Sequence, residues 1–255
     1  MEEFSCETKI IAGSGAVAHL AEFGAKRVFL VTDPFFLKNG WADRVAKAAK
    51  AEAVELFSDV RPDPTVELAA EGTGKLRAFA PDLVVALGGG SAMDLAKAMA
   101  FFAKGEHRLA AIPTTSGSGS EVTDFAILTH NGVKHPLVDR RLRPDAAILD
   151  GDLLAELPPA LIADTGFDVL AHALEGGVAT KAGPMSDLLA REAFSTAYAL
   201  LPASYAGRTD VRLKIHRASC WAGLSFTHSG LGIKSSLTCY NNISFFNIFL
   251  KLCFF

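Results

Sequence analysis

Several things are scarce in this 255-residue chain, and each scarcity narrows its class. The four cysteines, Cys6, Cys220, Cys239 and Cys253, show no CxxC spacing, which argues against a zinc module and against a disulfide framework. No apolar run reaches the roughly 18 residues of a spanning helix, so no membrane partner is expected. The opening MEEFSCETKIIAG is acidic and lacks an apolar core, so it predicts no signal peptide. A reduced, cytoplasmic setting follows. Basic residues form no block, the net charge is −3 and the pI is near 6.2, which excludes a general nucleic-acid binder and leaves a small molecule as the expected partner. There is no internal repeat.

What is present is a chain half hydrophobic, ample for a sizeable core. Strand patterns at 9–12, 27–32, 53–57, 82–87 and 109–112 alternate with helical patterns at 41–51, 66–78 and 91–103. Alternation of this kind predicts a parallel sheet covered on both faces, the doubly wound α/β class. In FAILTHNGVKHPLV, Asn131 and Gly132 sit between two apolar runs and predict a hairpin. A last strand is expected at 146–149. From Pro158 the patterns become helical, at 160–179, 185–200 and 211–225, with Pro158 and Pro159 placed to open the first of these helices. The expected organisation is a dinucleotide-binding α/β domain over 1–157, the start of an all-α domain over 158–233, and an aberrant tail over 234–255. That tail contains no alanine, glycine, acid or arginine and holds five of the eighteen phenylalanines. Such a break reads as a change of frame or a junction, with a genuine but unusual terminal segment as the alternative, and its apolar run is an aggregation hazard if exposed.

Three stretches carry chemistry. In LGGGSAMDLAK, three glycines pass from a strand into a helix, a place where backbone amides and the positive helix end hold a pyrophosphate. The ligand-free alternative is a tight turn with Ser91 and Asp94 as a capping box. TTSGSGSE, at 114–121, offers hydroxyls and supple backbone to phosphate, ribose or nicotinamide, or is an ordinary loop. Asp33, ending the first strong strand, has the placement of a ribose acceptor that selects NAD over NADP, and equally that of an acid starting a turn before Pro34. Asp168 and His172 lie four residues apart on one expected helix. Carboxylate and imidazole suit a divalent first-row metal, and they also make an ordinary helix ion pair, which local spacing alone favours. Asp164 and Glu175 lie on neighbouring faces. His107, His130, His135, His216 and His228 show no ligand spacing and are expected to be structural or exposed.

Taken together, PDPT at 62–65, GGGSAMDLAK, AIPTTSGSGSEVT, PDAAILD at 144–150, TGFDVLAHALEG at 165–176 and AGLSFTHSGLGI at 222–233 resemble the iron-containing (group III) alcohol dehydrogenases, over nearly all of residues 4–233. Within that family, the opening segment and the KHPLVD hairpin look most like the branch that interconverts propanol and propionaldehyde. The resemblance implies a two-domain oxidoreductase that moves a hydride between NAD(H) and a short-chain primary alcohol or aldehyde, with iron, or zinc as the second choice, polarising the substrate oxygen. It implies that Asp33 sits near the adenosine ribose. Gly89, Gly90, Ser91 and Asp94 hold the pyrophosphate region, Thr114, Thr115 and Ser118 line the nicotinamide side, and Lys134 approaches the cofactor. Asp168 and His172 match the first two metal ligands. Family members supply two more from a histidine-rich helix after GLG, whereas no histidine follows His228 here, so an impaired metal site is expected. A homo-oligomer is expected, in the cytoplasm or within a bacterial microcompartment. The alternatives are a glycerol dehydrogenase or dehydroquinate synthase-like enzyme, and a non-catalytic nucleotide-binding remnant.

Overall fold

A computed structural model describes residues 4–231. The described residues divide into two compact units, one of Cys6–Thr114 with Ser120–Ala155, the other of 4–5, Thr115–Gly119 and 156–231. The tail expected at 234–255 lies outside the described residues.

The first unit is built on a parallel six-stranded sheet. Its strands are β1 (Lys9–Gly13), β2 (Arg27–Thr32), β3 (Ala53–Phe57), β4 (Leu83–Gly88), β5 (Arg108–Pro113) and, last in the chain, β8 (Ala146–Asp150), in the spatial order β1-β8-β5-β4-β2-β3. The inner strands are buried on both faces, as their unbroken apolar runs require. Alternate residues feed two cores. Val28, Leu30, Val85, Leu87 and Ile112 enter one, whereas Phe29, Val31, Val84, Ala86 and Ala111 enter the other. Helices α2 (Trp41–Ala48), α3 (Val66–Phe79) and α4 (Gly90–Ala103) follow the strands that precede them. The hairpin is formed by β6 (Phe125–His130) and β7 (Val133–Val138), paired antiparallel, with Asn131 and Gly132 at φ 50° and 75° as a primed turn demands.

Three features of this unit depart from the expected pattern. A 3-10 segment, Ala16–Phe23, follows β1, and a five-residue helix α1 (Pro34–Lys38) follows β2. Helix α2 also stops at Ala48, short of Ala51, with Lys50 in the left-handed region at φ 51°. Because β2 is followed by β3 on one side and by β4 on the other, the strand order reverses at β2/β4. A crevice outside the carboxyl ends of these strands is where such sheets take ligands.

The second unit packs α5 (Pro159–Val178), α6 (Pro184–Tyr205) and α7 (Arg212–Ser229) around Ile162, Val169, Leu170, Ala193, Ala197, Leu201 and Ala218. Pro158 is the N-cap of α5 and Pro159 its first residue, so the proline pair opens the helix. Helix α6 runs on through Pro202 to Tyr205, past the expected end at 200. The helices approach closely where side chains vanish: a Cβ on Gly166 would lie 2.2 Å from Leu201 Cδ1.

Candidate functional site

The glycine turn joins β4 to α4. Gly88 has φ 152°, and a Cβ there would lie 2.6 Å from Ala92 Cβ, so only glycine lets the strand enter the helix this tightly. Gly89 is the N-cap, and its carbonyl accepts from the amides of Ala92 (3.0 Å) and Met93 (3.1 Å). The amides of Gly90 and Ser91 therefore precede the helical ladder, at the positive end of α4, with the geometry of an anion cradle. Thr114, at the end of β5, donates its amide to Gly88 O at 3.0 Å and fixes the turn from the other side.

Across the strand reversal stands Asp33. Its Oδ1 accepts from the amides of Phe35 (2.8 Å) and Phe36 (3.3 Å), capping α1, so the turn-starting role is realised. The second oxygen, Oδ2, lies 3.6 Å from where a Cβ on Gly88 would stand. One carboxylate thus caps a helix and borders the glycine turn.

The capping-box alternative for Ser91 and Asp94 is corrected by the structure. Helix α4 begins two residues too early for it: Ser91 is inside the helix, Gly89 caps it, and Asp94 faces elsewhere. The Asp94 carboxylate accepts from Ser120 Oγ (2.8 Å) and Ile127 N (3.1 Å). Both carboxylate oxygens of Asp94 thus receive hydrogen bonds from the chain that follows the 115–119 loop.

Beside it is a group the sequence reading missed. Lys97, 1% exposed, directs its Nζ at Ser120 O (2.6 Å), Ser120 Oγ (3.0 Å), Thr123 Oγ1 (3.0 Å) and Phe125 O (2.8 Å). Burial pulls its pKa down to about 8 against the opposing pull of Asp94, Glu121 and Asp124. Burial likewise raises Asp94, with Lys97 and the Ser120 bond working against it. Glu121, 2% exposed, is pushed up to about 7 by burial, and its Oε1 has no hydrogen-bond partner among the described residues. The available signal was a charged pair, Asp94 and Lys97, on a helix whose neighbouring positions are Ala92, Met93, Leu95, Ala96, Ala98 and Met99. Buried charge in such a run needs partners from elsewhere in the chain.

Thr115 and Ser118 belong with the helical unit, while Thr114 belongs with the sheet. The loop is seated by small residues. Ser116 Oγ lies 2.9 Å from His216 Nδ1; a Cβ on Gly117 would meet Thr165 Cβ at 2.9 Å; and one on Gly119, at φ 62°, would meet Gly223 Cα at 2.7 Å. The glycines of the SGSG run are thus required by close approach. Lys134, on β7, is held by Asp63 at 2.8 Å and acts electrostatically on Asp94. Within the sheet unit the structure brings Asp33, Gly89, Gly90, Ser91 and Thr114 around one turn, and turns Asp94 and Lys134 to other partners.

In the helical unit, Asp168 Oδ1 and His172 Nε2 are 3.6 Å apart on α5. His172 Nδ1 lies 3.2 Å from Gly117 O. A carbonyl only accepts, so Nδ1 is the protonated nitrogen and, in the neutral ring, Nε2 turns its lone pair toward the carboxylate. Two acceptors facing one another at this distance fit a shared cation, which also explains why the ring is fixed from behind. An ion pair uses the same geometry when Nε2 also carries a proton. The ring packs on Phe226, with centroids 4.8 Å apart.

Among the described residues no group of three or more His, Cys, Asp or Glu forms a metal cluster. Asp164 is exposed. His228 is engaged by Leu224 O (2.8 Å), by the Ser5 amide (3.2 Å) and by stacking on Phe4. His216 is fully buried and bonded to Ser116, and the exposed His130 pairs with Glu67 at 3.0 Å. Asp168 and His172 offer a carboxylate and an imidazole, donor types that suit a divalent metal.

Residues 7–151 match the family model described as iron-containing alcohol dehydrogenase, and residues 162–248 match its C-terminal model, a range that runs past the compositional break at 234. The chain is 38% identical over 246 residues to a 1-propanol dehydrogenase PduQ of Citrobacter freundii, covering 93% of this chain and 66% of that protein. It is 35% identical to an NADPH-dependent butanol dehydrogenase of Clostridium saccharobutylicum, covering 93% and 67%. Among solved structures, it superposes on an iron-containing alcohol dehydrogenase from Thermococcus thioreducens with a TM-score of 0.85 at 34% identity, covering 90% of this chain and 68% of that one. It also superposes on sulfoacetaldehyde reductase from Bifidobacterium kashiwanohense in complex with NAD+, with a TM-score of 0.86 at 32% identity, covering 91% and 68%. The chain spans about two thirds of the length of these relatives.

Proposed function

The chain belongs to the iron-containing alcohol dehydrogenase family, and we propose that it is an NAD-linked, metal-dependent oxidoreductase for short-chain primary alcohols and their aldehydes. The observation that carries this reading is the Asp168–His172 pair, whose imidazole is pinned by Gly117 O so that its free nitrogen faces a carboxylate.

In this reading the sheet unit binds the cofactor. The Gly90 and Ser91 amides receive the pyrophosphate, and the α4 dipole adds to their attraction. Asp33 Oδ2 accepts from a ribose hydroxyl while Oδ1 keeps α1 capped. Its negative charge opposes a 2′-phosphate, which favours NAD. Asp94 and Lys97 act at one remove by holding residues 120–127. Thr114, Thr115 and Ser118 serve the nicotinamide side, and Lys134, freed from Asp63, approaches the cofactor.

Asp168 and His172 would hold the metal, iron in preference to zinc. When bound, a divalent ion supplies Lewis acidity toward the alcohol or carbonyl oxygen. No side chain among the described residues stands out as an independent base, so the hydroxyl proton leaves to water. Exposed Leu174, Val178, Leu188 and Tyr198 on the helical unit support a homo-oligomer that covers them. No helix among the described residues is long and apolar enough to cross a membrane. We place the protein in the cytoplasm or in a bacterial microcompartment.

Calorimetry tests the two halves separately. NAD and ferrous ion should each bind, the metal more weakly than to a three- or four-ligand site. Asp168→Asn should abolish metal binding and leave NAD binding intact. NAD binding with no detectable metal binding supports the non-catalytic nucleotide-binding reading instead.

A further inference from the structure

We propose that the cavity at the amino ends of β5 and β8 is a binding site for a small phosphorylated anion, separate from the glycine turn. The two lie at opposite ends of β5, about 20 Å apart by strand length. The cavity has a volume of about 670 Å³, within the size of small-molecule sites.

Its charge is the first argument. The whole chain is acidic, at −3, yet Lys104, Arg140, Arg141 and Arg143 all line this cavity, opposed only by Glu7 and Asp145. The second argument is which of these charges are already used. Arg143, with 9% of its side chain exposed, is held by Glu7 (3.5 Å) and Asp124 (3.3 Å). Arg141 makes a two-pronged pair with Asp139 (2.9 and 2.8 Å) and lies flat over the Phe101 ring, 4.5 Å from its centroid. Asp145 spends Oδ2 on the Leu109 amide at 2.6 Å.

Lys104 and Arg140 remain. Both are exposed, and neither has an ion-pair partner among the described residues. They come from separate segments, the end of α4 and the turn before β8, and both line the same cavity, where one ligand can reach both. Two unneutralised cations, backed by two fixed guanidinium groups, call for an anion of charge −2 or more. A phosphoryl group meets this with several oxygens that an Arg fork and a Lys ammonium can share. The cavity exceeds an inorganic ion, so the physiological ligand carries an organic body. No cofactor or metal residue of the proposed reaction lines it.

The test is titration calorimetry of the full chain with inorganic pyrophosphate, with and without NAD, on the wild type and on Lys104→Gln/Arg140→Gln. The proposal expects wild-type binding that NAD does not displace, weakened about tenfold or more in the double variant while NAD affinity is unchanged. Both residues are exposed, so the variant should fold; each single change should also weaken binding on its own. Equal binding by the double variant, displacement by NAD, or no wild-type binding at millimolar pyrophosphate overturns it. If NAD itself fails to bind, the comparison of wild type with variant still decides.

Discussion

Lys97 shows how one side chain can hold distant segments of chain in register. Its ammonium meets four oxygens on residues 120–125, and its neighbour on the helix, Asp94, meets Ser120 and Ile127. Lys97→Met would leave these four oxygens without their donor and remove a positive charge that offsets the burial of Asp94, and a buried acceptor left unsatisfied costs about 1–3 kcal/mol. Denaturant unfolding should show a loss of that order, and adding Asp94→Asn should recover part of it. Strict additivity of the two changes would contradict the coupling. Glu121 gives a pH signature. Its folded pKa, about 7, lies above its ordinary 4.5, so its contribution to stability is full below about pH 4.5 and is lost as pH rises through about 7. Lys97, lowered from 10.5 to about 8, adds stability at alkaline pH that is lost as pH falls through 8. Thermal unfolding of Glu121→Gln between pH 4.5 and 7 should lack the wild-type decline, whose slope is at most about 1.4 kcal/mol per pH unit. A variant that declines in parallel with the wild type contradicts the assignment. The charges of Asp94 and Lys97 in an apolar helix were legible in the sequence but their partners were not, because every hydrogen-bond partner of Lys97 lies 23 to 28 residues away. The facing of His172 by Gly117 was hidden for the same reason, at a separation of 55 residues.

Elements were more legible than contacts. The strands 27–32 and 53–57 have the bounds their apolar runs predict, because burial on both faces or against one core leaves a signal confined to neighbouring residues. Asn-Gly likewise announced the hairpin, since few other pairs accept two positive φ angles. The short helix after Asp33 was missed: an acid followed by proline signals both a turn and an N-cap, and only the bonds to Phe35 and Phe36 decide between them. The most demanding element is the glycine turn. Gly88→Ala puts a Cβ 2.6 Å from Ala92 Cβ on a backbone at φ 152°, so the first turn of α4 must shift. Backbone strain of this kind costs about 1–3 kcal/mol, and NAD affinity should fall about tenfold or more in calorimetry. Unchanged NAD affinity would remove the cofactor from this turn.

At the scale of the whole molecule, local patterns named two classes of structure, and the family motifs named the chemistry. The sheet and the helical unit follow from the change in periodicity near residue 158, whereas the assignment of Thr115–Gly119 to the helical unit follows only from packing, through Gly117 against Thr165 and Gly119 against Gly223. The proposed function has the glycine turn hold the cofactor, and Asp168 and His172 hold the metal. Its most direct test is propanol-dependent reduction of NAD, followed at 340 nm while ferrous ion is titrated into the folded chain. The account predicts NADH formation that needs ferrous ion, saturates only at high metal concentration, and disappears in Asp168→Asn. No NADH at any ferrous concentration from chain that binds NAD, or an undiminished rate in the presence of a chelator, would contradict it.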